Sequence, residues 1–354
     1  MTTVSPKITE AIATKPADQI WISLEFFPPR TDKGVDTLYN VIGNKLKNLN
    51  PIFTDFTWGA GGSTSDLTLD LCVQVKSRYG LNPNMHLTCT NMEKQKVINA
   101  LAGCKTAGIT NIVALRGDPP AGQEAWEAVE GGFTCALDLV RFIKAEHGDT
   151  FCLSVAGYPE GHPNNMTAVD DVSSLSEAEL GRMATFVEED GTTVRSVCRD
   201  DAYEIELNYL KEKVDAGAST IITQLFFDNA VFLTFVRDCR AKGITVPIIP
   251  GIMCISSKGG FKRMTKFCKT RVPKVLSMEL DAAEDDEAAK AIGIRYGTEM
   301  CRELIASGID GLHFYTLNLR NVTVGIIDSL KESGVQLFTP GQQTVFDGLL
   351  GGSA

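Results

Sequence analysis

The chain of 354 residues carries 34 Lys+Arg against 44 Asp+Glu, a net charge of −10, which argues against a nonspecific nucleic-acid binder needing cations along a phosphate track. At 44% hydrophobic and 22% charged residues, the composition is that of a soluble globular protein rather than a disordered one. There is no apolar run of the roughly 18 residues that a membrane span requires, and the first 19 residues lack the apolar stretch of a secretory signal.

Ten cysteines occur, none in a CxxC pair and most among apolar neighbours. Buried free thiols in a reducing compartment are expected, and with them a cytoplasmic protein.

In chain order, residues 1–19 read as a flexible extension. From residue 20 a unit recurs: a short apolar run, an amphipathic helix, then a glycine joint. The runs fall at 21–27, 52–58, 85–90, 111–115, 151–156, 220–227, 246–253 and 311–317, and the joints at Gly80, Gly108, Gly148, Gly217, Gly243 and Gly308. Glycine suits a helix C-terminus because the left-handed conformation there is disfavoured by a Cβ. The intervening helices show the helical period, as in Val97, Leu101 and Cys104 or Leu207, Leu210 and Val214. Continuous apolar runs fit parallel strands covered on both faces. Eight of them, each followed by a helical segment, predict a (β/α)8 TIM barrel forming one domain over residues 20–335. A doubly wound sheet would place a GxGxxG turn after the first strand, where this chain has EFFPPR at 25–30.

Two intervals exceed a minimal unit. The acidic insertion after strand five, about 164–201, contains Ser176 and Glu179 at capping-box spacing and predicts a short surface helix. The interval 274–291 holds an acidic run at 284–287, which reads as a solvated helix start. Residues 336–354 read as a tail.

In such a barrel the chemistry gathers at the C-terminal ends of the strands. Those ends carry Glu25, Thr57 and Trp58, His86, Arg116-Gly117-Asp118, Tyr158, Gln224, Gly251 and Tyr315. Glu25 lies among aromatic residues, where desolvation favours the protonated form and suits it to general acid work; the alternative is a structural Glu paired with an Arg or Lys. Arg116 can grip a phosphate, or simply pair with Asp118 to close the loop. The Gln224 amide matches the edge of a fused heterocycle, or a core amide satisfied by backbone. His86 and His162 have no second ligand at helical or hairpin spacing, so no metal is expected.

Taken in order, the strings LEFFPPR at 24–30, HLTCT at 86–90, LRGDPP at 115–120, VAGYP at 155–159, KVDAGA at 213–218, ITQLFFD at 222–228, VPIIPG at 246–251 and HFYTLN at 313–318 resemble the catalytic domain of the methylenetetrahydrofolate reductase family, in its eukaryotic wording. The resemblance spans about 21–330. It implies noncovalent FAD, NADPH or NADH as reductant in a ping-pong cycle, and methylenetetrahydrofolate as the hydride acceptor at flavin N5. It implies Glu25 as the general acid that opens the folate ring, and Asp118 facing both flavin and folate. Thr57, Trp58, His86, Arg116, Gly117, Thr134, Cys135, Tyr158, His162 and Lys213 match FAD-contacting positions. Glu206 joins them, standing where relatives often carry Asp. Gln224 matches the pterin-binding residue, with Arg30 and Tyr315 beside the substrate. Arg320, displaced one place by Leu319, stands near the position of a contact to the folate's glutamate tail. Eukaryotic relatives also carry a regulatory domain that binds S-adenosylmethionine; the chain ends at Ala354, so neither that domain nor such inhibition is expected. A flavin barrel of the proline dehydrogenase type and a non-catalytic folate- or flavin-binding barrel are the rival readings. No nucleic-acid or membrane partner is expected, and a homo-oligomer is admitted.

Overall fold

The computed structural model describes residues 3–59, 64–90, 92–117, 129–188 and 191–340. Eight parallel strands close into a barrel: β1 (Trp21–Phe26), β2 (Phe53–Phe56), β3 (Pro83–Thr88), β4 (Asn111–Leu115), β5 (Cys152–Gly157), β9 (Thr220–Leu225), β10 (Ile248–Met253) and β11 (Gly311–Tyr315). Their order around the barrel is β1-β11-β10-β9-β5-β4-β3-β2, so the expected (β/α)8 architecture is present. Helices α2 (Asp32–Asn44), α3 (Ser65–Tyr79), α4 (Lys94–Thr106), α5 (Ala136–His147), α7 (Asp200–Asp215), α8 (Asn229–Ala241), α9 (Lys258–Phe267), α10 (Lys274–Ala282), α11 (Asp286–Ala306) and α12 (Asn321–Glu332) surround it.

The six glycine joints all have positive φ, from 55° at Gly148 to 117° at Gly217, as their position after each helix requires. Polar caps fix other helix starts: Thr31 Oγ1 accepts the Gly34 N–H, and Asp285 Oδ1 accepts the Ala288 N–H. The second cap lies within the acidic run 284–287, which therefore opens α11.

Three parts of the chain differ from the sequence expectation. Residues 3–20 are not a loose extension. Helix α1 (Ile8–Ala13) closes the N-terminal end of the barrel, with Ile8 fully buried against a cluster that includes Trp21, Phe53, Ile222 and Ile249. Asn111 Oδ1 accepts the Ile8 N–H at 2.9 Å, and Asn82 Nδ2 donates to Pro6 O at 3.1 Å. The apolar residues that anchor α1 are too few and too mixed with charge for periodicity to reveal them. The start of the tail also joins the body, through a parallel bridge between Ile20 and Leu337 and the burial of Phe338; residues 341–354 lie outside the described residues.

The insertion between β5 and β9 is more than a helix. It holds a three-stranded antiparallel sheet of β6 (Met166–Ala168), β7 (Ala184–Val187) and β8 (Thr193–Cys198), in the order β6-β8-β7. Helix α6 (Glu177–Arg182) starts at the predicted capping box, with Ser176 and Glu179 exchanging hydrogen bonds with each other's backbone N–H. Cations after α9 fasten this unit to the barrel. Lys269 Nζ donates to Pro163 O at 2.8 Å, while Arg271 Nη1 donates to Leu180 O and Met183 O, each at 3.2 Å. Among the described residues no helix is long and apolar enough to cross a membrane.

Candidate active site

Strand alternation turns Ser23 and Glu25 of β1 toward the barrel axis. Parallel register then sets Glu25 beside Asp55 of β2 and Tyr315 of β11, and Ser23 beside His313. His86 of β3 completes a compact group. Glu25 Oε2 lies 3.3 Å from His313 Nε2 and 3.6 Å from His86 Nε2, while Asp55 Oδ2 lies 3.3 Å from His86 Nε2 and 3.9 Å from His313 Nε2. Ser23 Oγ meets the other ring nitrogen of His313, Nδ1, at 2.8 Å. With Nε2 facing carboxylates, its hydrogen belongs there, and Nδ1 accepts from the serine hydroxyl. Glu25 is therefore neighboured by two imidazoles rather than by the Arg or Lys of the structural alternative.

Burial opposes charge on His86, but the hydrogen bond to Asp55 and the charges of Glu25 and Asp55 outweigh it and raise its pKa. Tyr315 donates to Thr223 O at 2.6 Å; burial, with the Glu25 and Asp55 charges, pushes its hydroxyl well above the ordinary range. One ligand atom from each of Glu25, Asp55 and His313 falls within 4.8 Å of the others, a proximity that spacing along the chain does not disclose.

This group floors a cavity of about 290 Å3. Its lining includes Glu25, Thr57, Trp58, His86, Arg116, Gly117, Tyr158, His162, Gln224 and Tyr315. A second cavity of about 350 Å3 shares Arg116, Tyr158 and His162 with the first and adds Thr134, Cys135, Glu206 and Lys213. Most of the sequence-predicted residues thus meet in two joined hollows. Asp118 lies outside the described residues. Arg30 is exposed, and Arg320 lines a separate surface hollow with Leu319 and Lys290. Asp55, His313 and Ser23 were missed as site residues. Asp55 and Ser23 sit in strings read simply as strand, although a carboxylate inside an apolar run, level with Glu25, was an available signal.

The two hollows differ in electrostatics. In the second, Lys213 Nζ donates to Ala156 O at 3.1 Å, and burial lowers its pKa to about 8 despite the opposing influence of Glu206. Glu206 accepts the His162 N–H on both oxygens at 2.9 Å and Asn165 Nδ2 at 2.7 Å; burial raises its pKa. Burial, then Arg116, Lys213 and Lys269, push His162 down to about 4, so its ring is neutral at pH 7. Thr134 and Cys135 stand at the N-terminus of α5, where the helix dipole favours an anion. In the first hollow, Trp58 Nε1 and Thr88 Oγ1 are buried without a hydrogen-bond partner among the described residues. Gly117, at φ 90°, has no room for a Cβ, which would stand 2.7 Å from Thr90 Oγ1. Orphaned donors and a stripped backbone in one hollow, with the buried Lys213 in the next, suit a planar heterocycle joined to an anionic nucleotide.

A family model described as methylenetetrahydrofolate reductase matches residues 7–331. The chain is similar to methylenetetrahydrofolate reductase (NADH) 1 of Arabidopsis thaliana, 46% identical over 313 residues that cover 88% of this chain and 48% of that protein. It is 45% identical to the probable methylenetetrahydrofolate reductase (NADH) of Oryza sativa, covering 92% of this chain and 50% of that protein. To 5,10-methylenetetrahydrofolate reductase of Escherichia coli it is 34% identical, covering 88% and 91%. The chain spans about half the length of the plant relatives it matches. A solved Clostridium thermocellum protein, described as binding two copies of 5-methyl-5,6,7,8-tetrahydrofolic acid, superposes with a TM-score of 0.54 at 13% identity, covering 92% of this chain and 97% of that one; at that identity the likeness shows the fold alone.

Proposed function

The chain belongs to the methylenetetrahydrofolate reductase family, and from that premise we propose that it reduces 5,10-methylenetetrahydrofolate to 5-methyltetrahydrofolate, with FAD as cofactor and NADPH or NADH as reductant. The observation that carries this reading is the placement of Glu25. Its side chain keeps 16% exposure and opens on the first cavity, while the groups beneath it are almost completely buried.

FAD would supply hydride acceptance from the nicotinamide and hydride donation to the folate. Arg116, Gly117, Trp58 and Tyr158 would hold its ring system, and Lys213 with the N-terminus of α5 its anionic half. Asp118 is proposed to face both cofactor and folate.

The remaining work belongs to the side chains. Glu25 delivers a proton to a nitrogen of the folate's five-membered ring, which opens to an iminium able to accept hydride. Ser23 holds His313 in the tautomer whose Nε2–H points at Glu25, fixing the carboxyl toward the cavity. Gln224, whose Oε1 accepts the Leu225 N–H at 2.9 Å, presents the rest of its amide as a partner for the pterin edge. The adjoining hollow of about 220 Å3, lined by Phe27, Met264 and Phe267 beside Gln224, offers an apolar wall to the ring system attached to the pterin.

Reconstitution tests the assignment. Purified protein incubated with FAD should retain a flavin visible spectrum through gel filtration and lose that colour on anaerobic addition of NADPH or NADH. A protein that cannot be loaded with FAD would overturn it.

A further inference from the structure

Beneath the proposed proton donor lies a carboxylate that the reaction leaves idle. Asp55 stands level with Glu25 in the β1–β2 register, but its side chain is wholly shielded from solvent. Both imidazoles point Nε2 at this pair. His86 is nearer Asp55 (3.3 Å against 3.6 Å to Glu25), and His313 is nearer Glu25 (3.3 Å against 3.9 Å to Asp55). Each ring thus has its own carboxylate. Among the described residues, the ion pairs of both carboxylates are with histidine alone. The other titratable groups facing Asp55 are the Tyr315 hydroxyl from β11 and the Cys72 thiol from α3, both kept neutral by burial. A buried anion needs a charged or hydrogen-bonding partner, and His86 is the one within reach.

We propose that Asp55 is a positioning residue for the proton transfer assigned to Glu25: as the fixed counterion of His86, it leaves Glu25 facing one imidazole hydrogen and free to exchange its own proton with the cavity. The proposal rests on the folate-reducing reading. Without the Asp55 charge, the Nε2–H groups of both rings turn to Glu25. Two donors on one carboxylate stabilise its anion, so the proton-donating form becomes scarce at neutral pH.

The test uses the FAD-loaded 354-residue protein and its Asp55→Asn variant. After anaerobic reduction, the rate of flavin reoxidation by methylenetetrahydrofolate is followed against pH. We expect the alkaline limb in Asp55→Asn to move down by about one pH unit, with about a tenfold loss at neutral pH. Reduction of the flavin by NADPH or NADH should change little. An unmoved limb overturns the proposal. A second measurement needs no variant: with only four histidines in the chain, ring-labelled NMR can follow each one. His86 should remain cationic at pH 7 in the native protein, and a neutral His86 there overturns the proposal even if Asp55→Asn fails to fold. Should native enzyme fail to pass electrons to methylenetetrahydrofolate, the reading of function fails instead, while the NMR result still judges Asp55.

Discussion

In the proposed function Glu25 and Lys213 take opposite parts, one handling a proton and the other an anion, and each yields a separable prediction. Replacing Glu25 by Gln keeps shape and hydrogen bonding but removes the transferable proton. FAD binding and reduction by NADPH or NADH should persist, while folate-dependent reoxidation falls by roughly 10²–10⁴-fold, the range of general acid catalysis. Stopped-flow measurement of the two half-reactions separates these outcomes, and equal loss in both would remove the acid role. Lys213 has a pKa near 8 in its cavity, so above that pH the ammonium is lost unless an anion restores it. FAD affinity should therefore weaken as pH rises through 8, and the Lys213→Met variant should bind weakly without that pH dependence. Fluorescence titration from neutral pH upward checks both. Glu25 was legible in the sequence because it interrupts an apolar strand just before two prolines. Asp55 offered the same kind of signal, a carboxylate inside an apolar run, but its partners arrive from strands β3 and β11, and no spacing along the chain brings His86 and His313 together.

At the scale of elements, the insertion carries the clearest consequence. Its base supplies His162 and Asn165, both held by Glu206 of α7, so whatever loosens it loosens the second cavity. Arg271 is the principal clasp. Its Nε meets Asp228 at 3.0 Å, its backbone N–H donates to buried Glu160 at 3.0 Å, and Nη1 reaches two carbonyls of the insertion. Arg271→Ala should cost about 1–3 kcal/mol of local stability, the range for lost charged hydrogen bonds. Hydrogen exchange should rise across β6–β8 and α6 while the barrel strands stay protected, and FAD affinity should drop. Uniform exchange would contradict a separately fastened unit. The glycine joints and the capping box of α6 were legible because each is a local rule written in one or two residues. The small sheet was not. Its strands are short, polar on one side and paired only through tertiary packing, and such pairing overrides weak local preference.

For the whole molecule, the barrel is closed below by α1 and open above to the site. Ile8 is fully buried in that lower plug, so Ile8→Ala should cost about 2–5 kcal/mol, as large-to-small changes in cores do. Denaturant unfolding should show a lower midpoint, with FAD affinity in native conditions unchanged because the cavities lie at the other end. A matched loss of affinity would mean that the two ends are coupled. The net charge of −10 is likewise informative only at this scale. It argues against polyanionic partners, yet the proposed cofactor is itself an anion, and the few cations at the site, Arg116 and Lys213 first, must act locally against the overall field.

In the proposed function electrons pass from nicotinamide to folate through this one barrel. Anaerobic stopped-flow absorbance of the FAD-loaded protein addresses that directly: the flavin is first bleached by NADPH or NADH, then mixed with methylenetetrahydrofolate. The oxidised flavin spectrum should return rapidly, with equimolar formation of 5-methyltetrahydrofolate. A flavin that stays reduced in the presence of saturating methylenetetrahydrofolate would contradict it.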